Sequence, residues 1–110
     1  MATVNNLYID QGATFSAVIQ VFDEDGDFFN LTGFSVASQI RKTYTSSTVS
    51  ATFTAQVLGA ANGTINLSLT HSQTAGLKAG RYVYDVEITK NEQIMRAAEG
   101  IVVVYPNVTR

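Results

Sequence analysis

The chain has 110 residues, of which 45% are hydrophobic and 15% charged, with a formal net charge of −2 and no cysteine. That length fits one domain with a modest core, and the apolar share excludes a disordered chain. The weak negative charge argues against nucleic acid as a partner, since phosphate binding needs a clustered cationic footprint, and the lack of cysteine excludes disulfides and thiolate metal sites.

Read in chain order, Met1–Asn6 show no periodicity and are expected to form a short arm. The opening MATVNNLYIDQG has neither a basic nor an apolar leader region, so by default the chain is made in, and released into, a cytoplasm. Leu7–Asp10 reads as a first short strand. In Thr14–Phe22, Phe15, Ala17, Ile19 and Val21 share one face, the period-two pattern of a half-buried strand. The stretch FDEDGDFFN follows. Counted as a calcium loop from Asp23, it puts Gly26 at the fourth position and Phe34 where a bidentate Glu is required, so the EF-hand spacing fails. Its adjacent carboxylates also lack the contrast in environment that acid/base work needs. Asp25-Gly26 instead predicts a solvated hairpin turn.

Phe34, Val36 and Ile40 then alternate with Ser35, Ala37, Gln39 and Arg41, and Val49, Ala51, Phe53 and Ala55 alternate with Ser50, Thr52, Thr54 and Gln56. Arg41-Lys42 is the only adjacent basic pair and reads as a solvated strand end. Asn62-Gly63 marks a turn before the strand of Ile65, Leu67 and Leu69. THSQTAGLKA, Thr70–Ala79, predicts the only helical turn, capped by a hydroxyl with Gln73 and ended by Gly80. Tyr82, Tyr84, Val86 and Ile88 share the core face of the next strand, although Val83 interrupts its polar side. Lys90-Asn91-Glu92-Gln93 closes a hairpin onto Ile94–Tyr105. In that last strand Met95 and Ala97 are in phase with Ile101 and Val103, while Val102 and Val104 fill the other side. It therefore reads as covered on both faces, with Gly100 marking a bulge or a close backbone approach. At five residues, Ile101–Tyr105 is too short an apolar run to span a bilayer, and no membrane partner is expected.

These elements describe an all-β fold: a single antiparallel, immunoglobulin-like β-sandwich of about seven strands spanning 1–110, with short terminal arms and one helical turn. The tyrosines opening the sixth run are placed as in the tyrosine corner of such folds. The predicted core comprises Tyr82, Tyr84, Val86 and Ile88 with Phe15, Ile19, Val36, Ile40, Phe53 and Leu67.

Little in the sequence carries chemistry. His71 is the one histidine, without further ligands for zinc and without a triad around it. No nucleophile elbow, phosphate loop or dinucleotide fingerprint is present. No enzyme activity, cofactor or metal is expected. The four Asn-x-Ser/Thr sequons are what a chain rich in Asn, Thr and Ser produces by chance. The middle segment KTYTSSTVSATFT carries few charges to protect strand edges, which implies that partner subunits cover part of the surface. The candidate interface residues are Tyr8, Arg41, Tyr44 and Tyr105, together with Pro106 and Arg110 of a C-terminal arm.

The stretch from Phe28 to the Leu-Thr-Gly ending at Gly33, Ile40-Arg41-Lys42, GTINLSLT, THSQTAGLKAG, GRYVYDVEIT and EGIVVVYPNVTR follow in an order that resembles small β-sandwich virion proteins of tailed bacteriophages. The likeness is to the N-terminal domain of baseplate and receptor-binding proteins, without their large C-terminal module. It implies a non-enzymatic structural or adaptor role within a virion assembled in the bacterial host cytoplasm, at the neck, tail, baseplate, fibre attachment or capsid surface. The implied partners are other virion proteins, in a homo-oligomer or symmetric hetero-assembly. The alternative from the residues themselves is a carbohydrate-binding or adhesive immunoglobulin-like module, with exposed Tyr8, Tyr44 and Tyr105 as its rings.

Overall fold

The computed structural model describes residues 3–108. Its elements in chain order are β1 (Thr3–Val4), β2 (Leu7–Asp10), β3 (Phe15–Gln20), β4 (Ser35–Arg41), β5 (Ala51–Thr52), β6 (Thr54–Gly59), β7 (Thr64–Leu69), α1 (His71–Ala75), β8 (Gly80–Lys90) and β9 (Gln93–Tyr105). They form a six-stranded sheet ordered β1-β9-β8-β4-β5, with β2 also on β9, and a three-stranded sheet ordered β3-β7-β6. Both sheets close over one apolar core. Ile9, Ile40, Val86, Ile88 and Val102 enter it from one side and Ile65 and Leu67 from the other, each with no more than 1% of its surface exposed.

The fold is an all-β, immunoglobulin-like sandwich. β3, β7 and β6 take the places of the B, E and D strands, and β4, β8 and β9 those of C, F and G. The Tyr82 hydroxyl donates to the Lys78 carbonyl at 2.6 Å, as a tyrosine corner requires. Of the residues predicted for the core, Phe15 and Val36 are half-buried against it and the other eight are buried.

The structure departs from the sequence reading at five places along the backbone. The run 49–56 is not one strand. β5 pairs with β4, β6 pairs with β7, and the chain crosses between the sheets at Phe53. Phe53 is the pin of that crossing: its N–H donates to the Ser38 carbonyl at 3.0 Å, and its buried ring meets Phe15 and Tyr84, each at a centroid distance of 6.0 Å. Second, the sheet is not purely antiparallel, because β1 and β2 run parallel to β9. Third, Thr3–Asn6 is no free arm, since Asn5 N–H donates to the Glu99 carbonyl at 2.9 Å. Fourth, α1 has the expected capping box between Thr70 and Gln73 but ends at Gly76 rather than Gly80, which opens β8 instead.

Fifth, the irregularity in β9 lies at Ala97. Val86 pairs with Ala98 and Glu87 with Arg96, leaving Ala97 as the extra residue of a bulge. One inserted residue exchanges the two faces of the strand. Ala97 and Ala98 are therefore both buried, and Met95 and Ala97 are out of phase with Ile101 and Val103. Gly100 is the close approach that the sequence offered as the other option. A Cβ there would overlap the Asn5 carbonyl oxygen, which accepts a 2.6 Å hydrogen bond from the Tyr84 hydroxyl. Burial pushes the Tyr84 phenol up to about 12.

The acidic stretch folds as a hairpin turn. Asp23 N–H donates to the Asp27 carbonyl at 2.9 Å, Gly26 takes φ +86, and one Asp23 carboxylate oxygen accepts from the backbone N–H of Asp25 and Asp27 at 2.9 and 3.0 Å. Phe22 and Phe28 close it as a bridge. The β8–β9 hairpin turns on Asn91 and Glu92, both at positive φ, so the strands leave it with the right-handed twist of the sheet.

Candidate functional site

The outer face of the six-stranded sheet gathers two exposed aromatic side chains, Tyr8 and Tyr105, with six charged ones, Arg41, Arg81, Asp85, Glu87, Arg96 and Glu99. Register sets it out in rows. Arg41 lies beside Val83 and Val83 beside Ile101; Arg81 lies beside Val103 and Val103 beside Tyr8. A third row runs from Gln39 through Asp85 and Glu99 to Val4. At one end Tyr8 and Tyr105 stack with centroids 6.4 Å apart and planes at 20°. Tyr8 is 59% exposed, Tyr105 48% and Ile101 37%. The result is an apolar and aromatic strip along β9 and β2, rimmed by charge.

Arg96 supplies part of that rim. Its Nε lies 3.4 Å from Asp85 and its Nη1 3.7 Å from Glu99. Half-exposed pairs of this kind are worth less than about 1 kcal/mol each, so their carboxylates remain open to other cations.

The predicted interface residues fall into three groups. Tyr8 and Tyr105 come together in the stack, with exposed Pro106 directly after it. Arg41 and Tyr44 meet at a second place, a groove of about 150 Å³ between the β4 end, β8 and Arg96. There Arg41 holds the loop that follows β4, donating to the Ser46 carbonyl at 2.9 Å and to the Gln39 side chain at 3.0 Å, while Tyr44 is 67% exposed. Lys42 is more than a solvated strand end, because it donates to the Arg81 carbonyl at 2.9 Å and sits 4.7 Å above the Tyr82 ring. Arg110 lies outside the described residues. Asn107 N–H reaches the Gln11 side chain at 3.4 Å, so the tail is held to its own domain at that point.

Ile101, Val103 and Val4 were not singled out from the sequence as surface residues. The signal was nevertheless present in the two-sided apolar character of Ile101–Tyr105. It reads as a strand covered on both sides, and among the described residues the side of Val102 and Val104 is buried while Val103 is half-buried and Ile101 exposed. Among the described residues no group of three or more His, Cys, Asp or Glu could hold a metal ion, and no helix is long and apolar enough to cross a membrane.

No protein-family model matches the chain, and no curated protein does. Solved structures do. The N-terminal domain of phage TP901-1 ORF48 superposes with a TM-score of 0.61 at 14% identity, over 91% of this chain and 84% of that one. Listeria monocytogenes InlP superposes with a TM-score of 0.50 at 15% identity, over 94% of this chain but only 28% of that protein. At such identities the likeness is one of fold. It agrees with the fold of the phage-protein class that the sequence resembles, and sandwiches of this kind host many functions.

Proposed function

We propose that this chain is a non-enzymatic structural module of a tailed-phage virion, acting through protein–protein contacts on the outer face of its six-stranded sheet. The observation that carries the reading is the strip of Tyr8, Tyr105, Ile101 and Val103. Tyr8, Tyr105 and Ile101, with half-buried Val103 among them, leave an apolar, aromatic surface in the open on strands otherwise built for burial. The resemblance in sequence order and the fold shared with a phage protein domain point to the same setting. Partners in this reading are other virion proteins, or further copies of the chain in a symmetric assembly. Tyr and Ile contribute packing area there, and the charged rim sets register and orientation.

The test replaces Tyr8 and Ile101 together by Glu and follows occupancy in fractionated particles by peptide mass spectrometry. A matched pair on the opposite sheet, Val18→Glu with Gln56→Glu, serves as control. Occupancy should collapse for the first pair and persist for the second, with both proteins folded. Parental occupancy for the first pair would sink the proposal.

A second reading is favoured by the Tyr8–Tyr105 stack alone, because two adjacent exposed rings are the platform on which a sugar stacks. Binding of the isolated chain to immobilised glycans, abolished by Tyr8→Ala, would select that reading.

A further inference from the structure

The opposite end of β9 carries a different kind of surface. Beyond β8, β9 is paired only from Ala98 onward: β1 meets Ala98–Glu99 and β2 meets Val102–Tyr105. Among the described residues nothing pairs with Gln93–Ala97 on that side. Because Lys90 and Gln93 close a two-residue hairpin, the alternation of the ladder turns the N–H and C=O of Ile94 and Arg96 away from β8, toward the open edge. An unpaired edge is a template for another strand.

That edge borders a groove of about 370 Å³ between the two sheets. Phe22, Phe29, Ile88 and Met95 line it with apolar surface, and Glu24 and Asp25 stand on its rim. Phe22 and Met95 are 38% and 39% exposed. One cation, Arg96, lines the groove against three carboxylates, Asp23, Glu24 and Asp25, and no ion pair occupies Glu24 or Asp25 among the described residues. The rim is therefore negative above an apolar floor. The edge and the groove make the site, and the rim charge selects its occupant.

We propose that this groove and the adjoining edge of β9 bind an extended, cationic-apolar peptide segment of a partner protein, which adds as a strand beside Gln93–Ala97. On the groove side the segment presents apolar residues at alternate positions for Phe22 and Met95, followed by a Lys or Arg for Glu24 and Asp25. Backbone hydrogen bonds to Ile94 and Arg96 supply affinity, and the alternate side chains supply specificity. The site lies at the far end of β9 from the Tyr8–Tyr105 stack and does not depend on the contact proposed there.

The test uses the full chain labelled with nitrogen-15 and the peptide Lys-Ser-Val-Ser-Val-Ser-Lys, whose pattern reads the same in both directions. Amide shifts should be confined to Phe22–Asp25 and Ile94–Ala97. The peptide with Glu in place of Lys should bind at least about tenfold more weakly, as should the Lys peptide to the Glu24→Lys, Asp25→Lys double variant, and salt should reduce the difference. Methylating every peptide nitrogen should abolish binding, because no N–H is then left to face β9 in either strand direction. Equal binding of the two charge patterns, undiminished binding of the fully methylated peptide, shifts centred on Phe15–Gln20, or no binding at millimolar peptide would each overturn the proposal. So would two results without peptide: slow hydrogen exchange at Ile94 and Arg96, meaning the edge is already covered, or concentration-dependent shifts there, meaning a second copy is the occupant.

Discussion

The two outer faces of this sandwich are built from different chemistry. The strands of the three-stranded sheet, FSAVIQ, TAQVLG and TINLSL, contain no ionisable residue. Their outward side chains are Ser, Thr, Asn and Gln with Val18 and Leu58, tied locally by contacts such as Ser16 to Asn66 at 2.9 Å. The six-stranded sheet presents Arg41, Arg81, Asp85, Glu87, Arg96 and Glu99 around an aromatic and aliphatic strip. The uncharged hydroxyl-rich face is interrupted only by the exposed Val18 and Leu58. Apolar rings with charges at their edge gain from burial, and the charges restrict which partner fits. The difference separates an uncharged face from one that combines apolar rings with charge.

The largest expected effect tests what the faces share. Ile65→Ala lies beneath the uncharged face and Ile88→Ala beneath the charged one, both fully buried in the same cluster. Each should cost roughly 2–5 kcal/mol in denaturant unfolding. If one variant unfolds in two steps while the other stays cooperative, the sheets do not rest on one core.

Alkali should distinguish the faces next. Tyr84 lies under the charged face with its phenol raised to about 12 from 10.0. The neutral phenol is favoured in the folded state, so its contribution is intact below pH 10 and is lost as pH rises from 10 toward 12. Two units correspond to at most about 3 kcal/mol. Tyr84→Phe should flatten that slope, and an unchanged slope would assign it to other groups.

Deleting residues 1–5 probes a segment whose described part, β1 and Asn5, joins the charged sheet. It removes β1 and the carbonyl that accepts the Tyr84 hydroxyl, leaving that donor unpaired in the core. A loss of about 1–3 kcal/mol is expected, largely restored by adding Tyr84→Phe to the deletion. Without that restoration, the cost comes from lost strand pairing.

The smallest effect compares one side chain from each face. Arg96→Ala breaks two half-exposed ion pairs, and Gln56→Ala breaks none. Both should change stability by less than about 0.5 kcal/mol, the first alone showing a salt dependence. A larger loss for Arg96→Ala would mean that the charged rim holds the fold together as well as framing a contact surface.

The alternation of polar and apolar residues was enough to determine β3, β4, β7 and β8, their inward sets and the sandwich class, because a half-buried strand writes its faces into every second residue. The turns at Asp25-Gly26, Asn62-Gly63 and Asn91-Glu92 were legible for a similarly local reason, since a tight turn needs residues tolerant of positive φ. The resemblance to phage virion proteins rested on such stretches. Asn30-Leu31-Thr32-Gly33, for example, folds locally, with the Asn30 side chain accepting from Thr32 N–H at 3.0 Å and Leu31 sunk into the core. Of the candidate site, Tyr8 and Tyr105 could be named one by one, but their stacking could not. It depends on β2 running parallel to β9, and that pairing joins residues nearly a hundred positions apart. The crossing at Phe53 left no break in the alternation of Val49–Gln56, because its side chain points into the core whichever sheet the backbone joins. Only the tertiary structure decided which side of β9 faces out. Its apolar residues fill both faces, and the choice falls to Ala97, where a single unpaired residue turns Ile101 and Val103 outward and Val102 and Val104 into the core.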